Sequence, residues 1–174
     1  YCEAQEAEPI NRGILVQRDY YAGGMGCPGG EDCVPVQALN LDPEDPTQTI
    51  PVVLTVTLPH DMYRFMLEDY FPAGTEVLDR DLKTTTWGGE VPQLQYDPRS
   101  PLRGGWGWWW FDEPQIYEDH VLWTAAYLPA GTYSLTYQLL PLQRGAFQVL
   151  PAHAWQYFFP EVMGTSSGDL FEIE

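Results

Sequence analysis

The chain has 174 residues, 44% hydrophobic and 14% aromatic, with 8 basic against 25 acidic side chains and a formal charge of −17. That aromatic and apolar content offsets the entropy of ordering, so the chain is not disordered, and its length allows one sizeable core or at most two small ones. The acidic balance argues against nucleic acid and anionic membrane surfaces as partners; no apolar run approaches the roughly 20 residues of a membrane span, and no basic-then-apolar signal sequence is present.

Sixteen Gly and 16 Pro cut the sequence into short segments. No helix-length window escapes them, which predicts an all-β domain with many turns and little helix. Residues 1 to 11 read as an acidic linker from an upstream domain and residues 12 to 174 as a single domain. The abrupt start at Tyr1-Cys2-Glu3 reads as that of a piece cut from a longer protein. A first strand is predicted over Arg12 to Tyr21, followed by a loop rich in Gly and Pro and an acidic turn region around Asp42-Pro43-Glu44-Asp45. Val52, Leu54, Val56 and Leu58 share one face of the clearest strand. The next strand, Met62 to Asp69, places Tyr63, Phe65 and Leu67 together and ends at Pro72-Ala73-Gly74-Thr75. Lys83 to Pro114 has no readable period and ends on Trp106-Gly107-Trp108-Trp109-Trp110-Phe111.

Order resumes with a strand over Val121 to Tyr127 and a turn at Pro129-Ala130-Gly131. Tyr133, Leu135, Tyr137 and Leu139 then face one way, with Thr132, Ser134, Thr136 and Gln138 opposite. Ala146 to Leu150 and Leu170 to Ile173 complete about eight strands with long loops, favouring two antiparallel sheets packed face to face as an immunoglobulin-like sandwich. Leu128-Pro129-Ala130-Gly131-Thr132-Tyr133 reads like a tyrosine corner, in which Tyr133 bonds back to backbone just upstream. An ordinary hairpin with a Tyr after its turn is the plainer alternative.

Cys27 and Cys33 flank Pro-Gly-Gly-Glu-Asp, a loop able to close into a disulfide. So small a ring adds about 2 kcal/mol and staples a loop only. A metal site is the poorer alternative, because two cysteines without nearby His make an incomplete zinc cage. The disulfide reading carries an extracytoplasmic location with it, periplasmic, cell-surface or secreted, and leaves Cys2 unpaired or paired outside this chain. His60, His120 and His153 are placed in separate turns. No nucleophile elbow, HExxH or phosphate loop occurs. The pairs Glu68-Asp69, Asp112-Glu113 and Glu118-Asp119 are acid–base candidates in principle, but such pairs in sandwiches usually lie in solvated turns. No catalytic residue, cofactor or metal is expected. The acidic stretch Asp42 to Asp45, with Glu31 and Asp32, offers oxygens to calcium without an EF-hand pattern. Cys2-Glu3-Ala4-Gln5 has thioester-like Cys…Gln spacing, but Glu and Ala stand in the wrong order.

For the Trp106 to Phe111 cluster three readings compete. Alternate rings (Trp108 and Trp110, or Trp109 and Phe111) enter the core, or the cluster meets a neighbouring domain, or it stacks on sugars as in an extracellular carbohydrate-binding or adhesin-like module.

The segment Pro151-Ala152-His153-Ala154-Trp155-Gln156-Tyr157-Phe158-Phe159-Pro160-Glu161-Val162-Met163-Gly164 resembles the C-terminal macroglobulin-like domain of bacterial alpha-2-macroglobulins, whose pattern runs roughly P-A-H-A-E-x-M-Y-x-P-E-x-x-G. Arg12-Gly13-Ile14, Arg18-Asp19-Tyr20, Glu68-Asp69-Tyr70-Phe71-Pro72-Ala73-Gly74, Leu128 to Tyr133 and Arg144-Gly145-Ala146-Phe147 fit in order and spacing. The resemblance implies a non-catalytic terminal sandwich in a secreted or periplasmic protease trap. Such a domain packs on the thioester domain of the parent chain and shields the bond, and meets target proteases only through the parent. His153, Trp155, Tyr157, Phe158 and Phe159 are then the shielding, interdomain loop. By position Phe158 replaces the family's Tyr and Tyr157 its Met. Phe158 excludes water but donates no hydrogen bond. Either Tyr157 takes the polar contact, or shielding is steric, or the parent has no thioester. Four aromatics within five residues cannot all point inward, so some should be exposed to a partner.

Overall fold

The computed structural model describes residues 7–22, 34–41, 48–78 and 106–174. In chain order the strands are β1 (Ile10–Arg12), β2 (Leu15–Tyr20), β3 (Ala38–Leu39), β4 (Ile50–Leu58), β5 (Met62–Tyr70), β6 (Thr75–Val77) and β7 (Gln115–Ile116). They continue as β8 (His120–Leu128), β9 (Gly131–Pro141), β10 (Gly145–Val149), β11 (His153–Gln156), β12 (Phe159–Thr165) and β13 (Asp169–Ile173). Eight of these are five residues or longer; seven overlap strands expected from the alternation, whereas β12 does not alternate and falls in the expected loop, and the two- to four-residue pieces are too short to show a period.

One sheet runs β2-β4-β9-β6 and a second β1-β12-β11-β5-β8-β7, with every pairing in both antiparallel. Their inner faces share one buried cluster, and Trp123 of β8 meets Tyr137 of β9 across it, ring centroids 5.5 Å apart. The fold is the all-β immunoglobulin-like sandwich expected from the sequence. A third, smaller sheet, β10-β13-β3, adds Val149, Phe171 and Ile173 to the same core, with β3 parallel to β13. Parallel pairing between distant segments leaves no local signature, so two residues of β3 were unreadable.

The faces of β4 and β9 are those the alternation assigns: Val52, Leu54, Val56 and Leu58 are buried against Tyr133, Leu135, Tyr137 and Leu139. β5 departs from its expected phase. Phe65 and Leu67 are buried, but Tyr63 is 60% exposed. Arg64 has φ 53°, the left-handed region that only small or Asn-like residues visit readily, and it rotates the strand so that Met62 rather than Tyr63 turns inward.

The expectation that paired acids lie in solvated turns fails at Asp69, which sits inside β5 with its side chain fully buried. Arg18 of β2, equally buried, donates from Nη1 to Asp69 Oδ1 (2.8 Å), to the Leu150 carbonyl (2.8 Å) and to the Tyr70 carbonyl (3.1 Å). Its Nη2 and Nε reach Asp169 of β13 at 2.7 and 3.3 Å, and the Tyr137 hydroxyl donates to Asp69 Oδ2 at 2.5 Å. Burial works against the guanidinium's charge, yet Asp69, Tyr20 and Asp169 outweigh it and hold the Arg18 pKa above its ordinary value. One side chain thus ties all three sheets together, with the donors and acceptors that a buried charge requires.

Candidate functional site

β11 and β12 form a hairpin closed by the two-residue turn Tyr157-Phe158, with Gln156 opposite Phe159. The expected loop is therefore a strand pair, in which the Trp155 partner is Met163 and the Gln156 partner Phe159. Pro160, Glu161 and Val162 bulge out of β12 at that register shift; Pro160 has no N–H to give the ladder, which favours such a position. β5 supports the hairpin from its other side, with His153, Ala154, Trp155 and Gln156 facing Glu68, Leu67, Met66 and Phe65. The ladder ends where the Tyr157 N–H donates to the Arg64 carbonyl at 2.9 Å.

At this tip Tyr157, Phe158 and Phe159 are 60%, 66% and 54% exposed. The rings of Tyr157 and Phe158 meet edge to face, centroids 5.2 Å apart and planes at 85°. Below the tip His153 stacks on Trp155 at 4.6 Å and 17°, with its Nδ1 3.4 Å from Glu68 Oε1; both rings are half-buried. Of the five residues assigned to this element from sequence, three form the exposed end and two its stem.

The tryptophan cluster is a 3-10 turn over Trp108–Trp110, entered through Gly107 at φ 84°. A side chain at Gly107 would run into the Tyr133 ring, at 2.5 Å. Neither pairing expected from alternation is realised. In a 3-10 turn residues three apart share a face, so Trp108 and Phe111 pack on the core while Trp106, Trp109 and Trp110 stay exposed. Phe111 lies edge-on to Phe65 (6.1 Å) and to Tyr133 (5.8 Å). The Tyr133 hydroxyl donates to the Pro129 carbonyl at 2.7 Å.

Tyr63 and Tyr127 face each other across β5 and β8, rings 5.1 Å apart, and Trp110 meets Tyr127 edge-on at 6.1 Å. Tyr63 directly precedes Arg64, whose carbonyl holds the Tyr157 N–H, so the two aromatic regions that looked separate in sequence lie at the same end of the larger sheet. Sequence reasoning missed Tyr63, Arg64 and Tyr127 here; nothing local announces the left-handed residue that turns them out. The Tyr127 hydroxyl donates to Asp61 Oδ2 (2.7 Å), whose Oδ1 accepts the Ala130 N–H (2.9 Å). These bonds hold the Asp61 carboxyl below its usual value, and Asp61 pushes the Tyr127 phenol up to about 12. Asp61→Asn is expected to return Tyr127 towards the ordinary ~10, read from its ring-carbon shifts in a pH titration; an unmoved Tyr127 contradicts the bond. A depressed carboxyl adds stability above the unfolded-state pKa that is lost as pH falls through the folded one, so the Asp61 contribution vanishes in acid.

Elsewhere, His60 is exposed in the turn before β5, while His120 and His153 begin β8 and β11 rather than lying in turns. His120 Nδ1 is 2.6 Å from Asp119 Oδ1, with its ring stacked on Tyr117 at 4.4 Å. An open cleft of about 900 Å³ runs past this pair, lined also by Phe71, Thr75 and Glu76. Among the described residues its one alcohol, Thr75, is committed to the Pro72 carbonyl at 2.8 Å. Among the described residues no group of three or more His, Cys, Asp or Glu is placed to hold a metal, and no helix is long and apolar enough to cross a membrane. Cys2, Cys27, Cys33, Glu31, Asp32 and Asp42 to Asp45 lie outside the described residues, as does the stretch from Lys83 to Gly105.

Residues 13–161 match the family described as bacterial alpha-2-macroglobulin MG10 domain. No curated protein matches. Salmonella alpha-2-macroglobulin reacted with methylamine is similar in fold, with TM-score 0.65 and 17% identity over 95% of this chain and 9% of that one. Native Escherichia coli alpha-2-macroglobulin, from domain MG7 to the C-terminus, gives TM-score 0.66 and 15% identity over 95% of this chain and 24% of that one. The Escherichia coli protein activated by porcine elastase is 19% identical, TM-score 0.65, over 96% of this chain and 14% of that one. The chain thus spans 9% to 24% of the length of these three structures.

Proposed function

Because the chain belongs to the bacterial alpha-2-macroglobulin MG10 domain family, we propose that it is a non-catalytic module of a longer, extracytoplasmic protease trap. In this reading residues 12–174 are one domain and residues 1–11 lead into it from the preceding one, the last two of them already paired with β12 as part of β1. The tip of Tyr157, Phe158 and Phe159 seats on a neighbouring domain carrying a thioester and keeps water from that bond. Target proteases are met by the parent and not by this domain. Cys27 and Cys33 form a loop-stapling disulfide, and Tyr133, bonded to the Pro129 carbonyl, serves as a tyrosine corner.

The observation that carries the reading is three consecutive aromatic side chains, each more than half exposed, on a hairpin anchored by backbone bonds to β5. Apolar surface held out on a rigid support is stable in water only at a cost that a partner surface removes. Phe158 shields by excluding water, and the perpendicular Tyr157 ring brings the only hydroxyl of the three.

In the full-length parent, Tyr157→Ala with Phe158→Ala is expected to raise the rate of thioester cleavage by methylamine by about tenfold or more, since each lost aromatic contact is worth about 1.5–3 kcal/mol and 1.4 kcal/mol is tenfold. An unchanged rate overturns the shielding role. A glycan-binding or adhesin-like module is the second reading, favoured by the exposure of Trp106, Trp109 and Trp110. Their neighbouring rings are edge-on, Trp106 to Trp109 at 83° and Trp110 to Tyr127 at 75°, which leaves single faces rather than a flat platform for sugar. A fluorescence response to a glycan panel favours this second reading, and none is expected from the first.

A further inference from the structure

We infer that Arg64 is the positioning residue of the aromatic tip: its left-handed backbone presets the hairpin end and turns Tyr63 and Tyr127 outward to extend the same docking face. The inference rests on the docking role proposed for Tyr157, Phe158 and Phe159, and takes the same neighbouring domain as its partner.

Among the described residues Arg64 is the only one other than glycine with positive φ. A long-chain L-residue is strained there, and strain of this kind persists only where the surroundings fix it. The surroundings are named by one bond and a change of phase. The Arg64 carbonyl accepts the Tyr157 N–H at 2.9 Å, one step beyond the last β5–β11 pair, Phe65 with Gln156. An extended Arg64 would keep the strand's alternation, send Tyr63 into the core in place of Met62, and aim its carbonyl elsewhere. β8 matches the kink at the facing position. Ala125 and Leu128 are both buried, with Ala126 exposed and Tyr127 half-buried between them, although the β5–β8 register is the same before and after. Two neighbouring strands therefore break phase together, and the same step that exposes Tyr63 and turns the half-buried Tyr127 away from the core supplies the acceptor for the tip.

The side chain of Arg64 is exposed and the device lies in its backbone, which separates it from an ordinary surface arginine. Residues that tolerate the left-handed region should replace it freely, and β-branched ones should not. Hydrogen exchange of the Tyr157 amide reads the bond directly in this chain, with the Leu135 amide in β9 reporting whether the core is intact. Arg64→Val is expected to speed Tyr157 exchange by about tenfold or more with Leu135 still protected, while Arg64→Gly and Arg64→Asn keep both protected. Should Arg64→Val unprotect Leu135 as well, Arg64→Thr takes its place. In the full-length parent the same series is expected to raise the methylamine rate for Val or Thr and restore it for Gly and Asn. Tyr157 exchange unaffected by Val or Thr, or raised equally by Gly, overturns the inference and leaves the docking reading standing. A methylamine rate unmoved by the Tyr157→Ala, Phe158→Ala variant sinks the docking reading instead, whatever the amides do.

Discussion

Replacing Arg18 with Met is expected to destabilise the domain by about 3–5 kcal/mol, seen as a large fall in the urea midpoint with an unchanged slope. The substitution keeps the volume of the stem but removes every donor to Asp69 except the Tyr137 hydroxyl. It also frees the Leu150 and Tyr70 carbonyls and parts Asp169 from β2. The loss comes from stranding a fully buried carboxyl, which burial already pushes above its ordinary pKa against the pull of Arg18 and Tyr137. Arg18→Met combined with Asp69→Leu should therefore recover much of the stability, because no charge is then left inside without a partner. A double variant as unstable as the single one would show that the ion pair itself, and not the orphaned acid, carries the energy.

Gly164→Ala is expected to be nearly as damaging, about 3 kcal/mol, or a fall in Tm of roughly 10 °C for a domain of this size. A Cβ at this position would lie 2.0 Å from the Ile14 carbonyl oxygen and 2.8 Å from its carbon. The obstacle is main chain, and β12 cannot slide away from it, since Gly164 is paired with Asn11 on one side and Ala154 on the other. Gly74 makes a useful contrast. There the added carbon meets the Phe147 ring at 2.3 Å, a side chain that has room to turn because it is only half-buried, and a smaller loss is expected for Ala. Equal losses at the two positions would show that the contact between β12 and the Ile14 main chain yields more easily than its geometry implies.

The parts of the fold that were legible in the sequence are those where each strand keeps one buried face along its length. β4 from Val52 to Leu58 and β9 from Tyr133 to Tyr137 alternate cleanly, so their inward residues could be named from spacing alone, although Pro51 and Gln138 on the opposite face are buried too. β5 begins with the same alternation and was misread at Tyr63, because a single left-handed residue inverts the phase without altering composition. Of the three readings of the tryptophan run, the one that sends alternate rings into the core departs for a related reason: it takes a period of two, and the chain adopts a period of three. Asp69 looked like surface because acids usually are, and only its tertiary partner on β2, distant in sequence, makes it interior. The exposed tip was legible as a hairpin-like bend with a surplus of aromatics, but the strands on either side of it were not, since the bulge at Pro160 to Val162 breaks the pairing that spacing would reveal.

The Arg18 cluster also gives the domain a mechanical wiring. Asp169 belongs to β13, the central strand of the small sheet, and Asp69 to the strand that holds the aromatic tip through Arg64 five positions away. Tension on residues 169–173 therefore reaches the tip-bearing strand through one guanidinium, without first peeling a sheet apart, so a pull along the chain and the posture of the aromatic end are strung on the same cord.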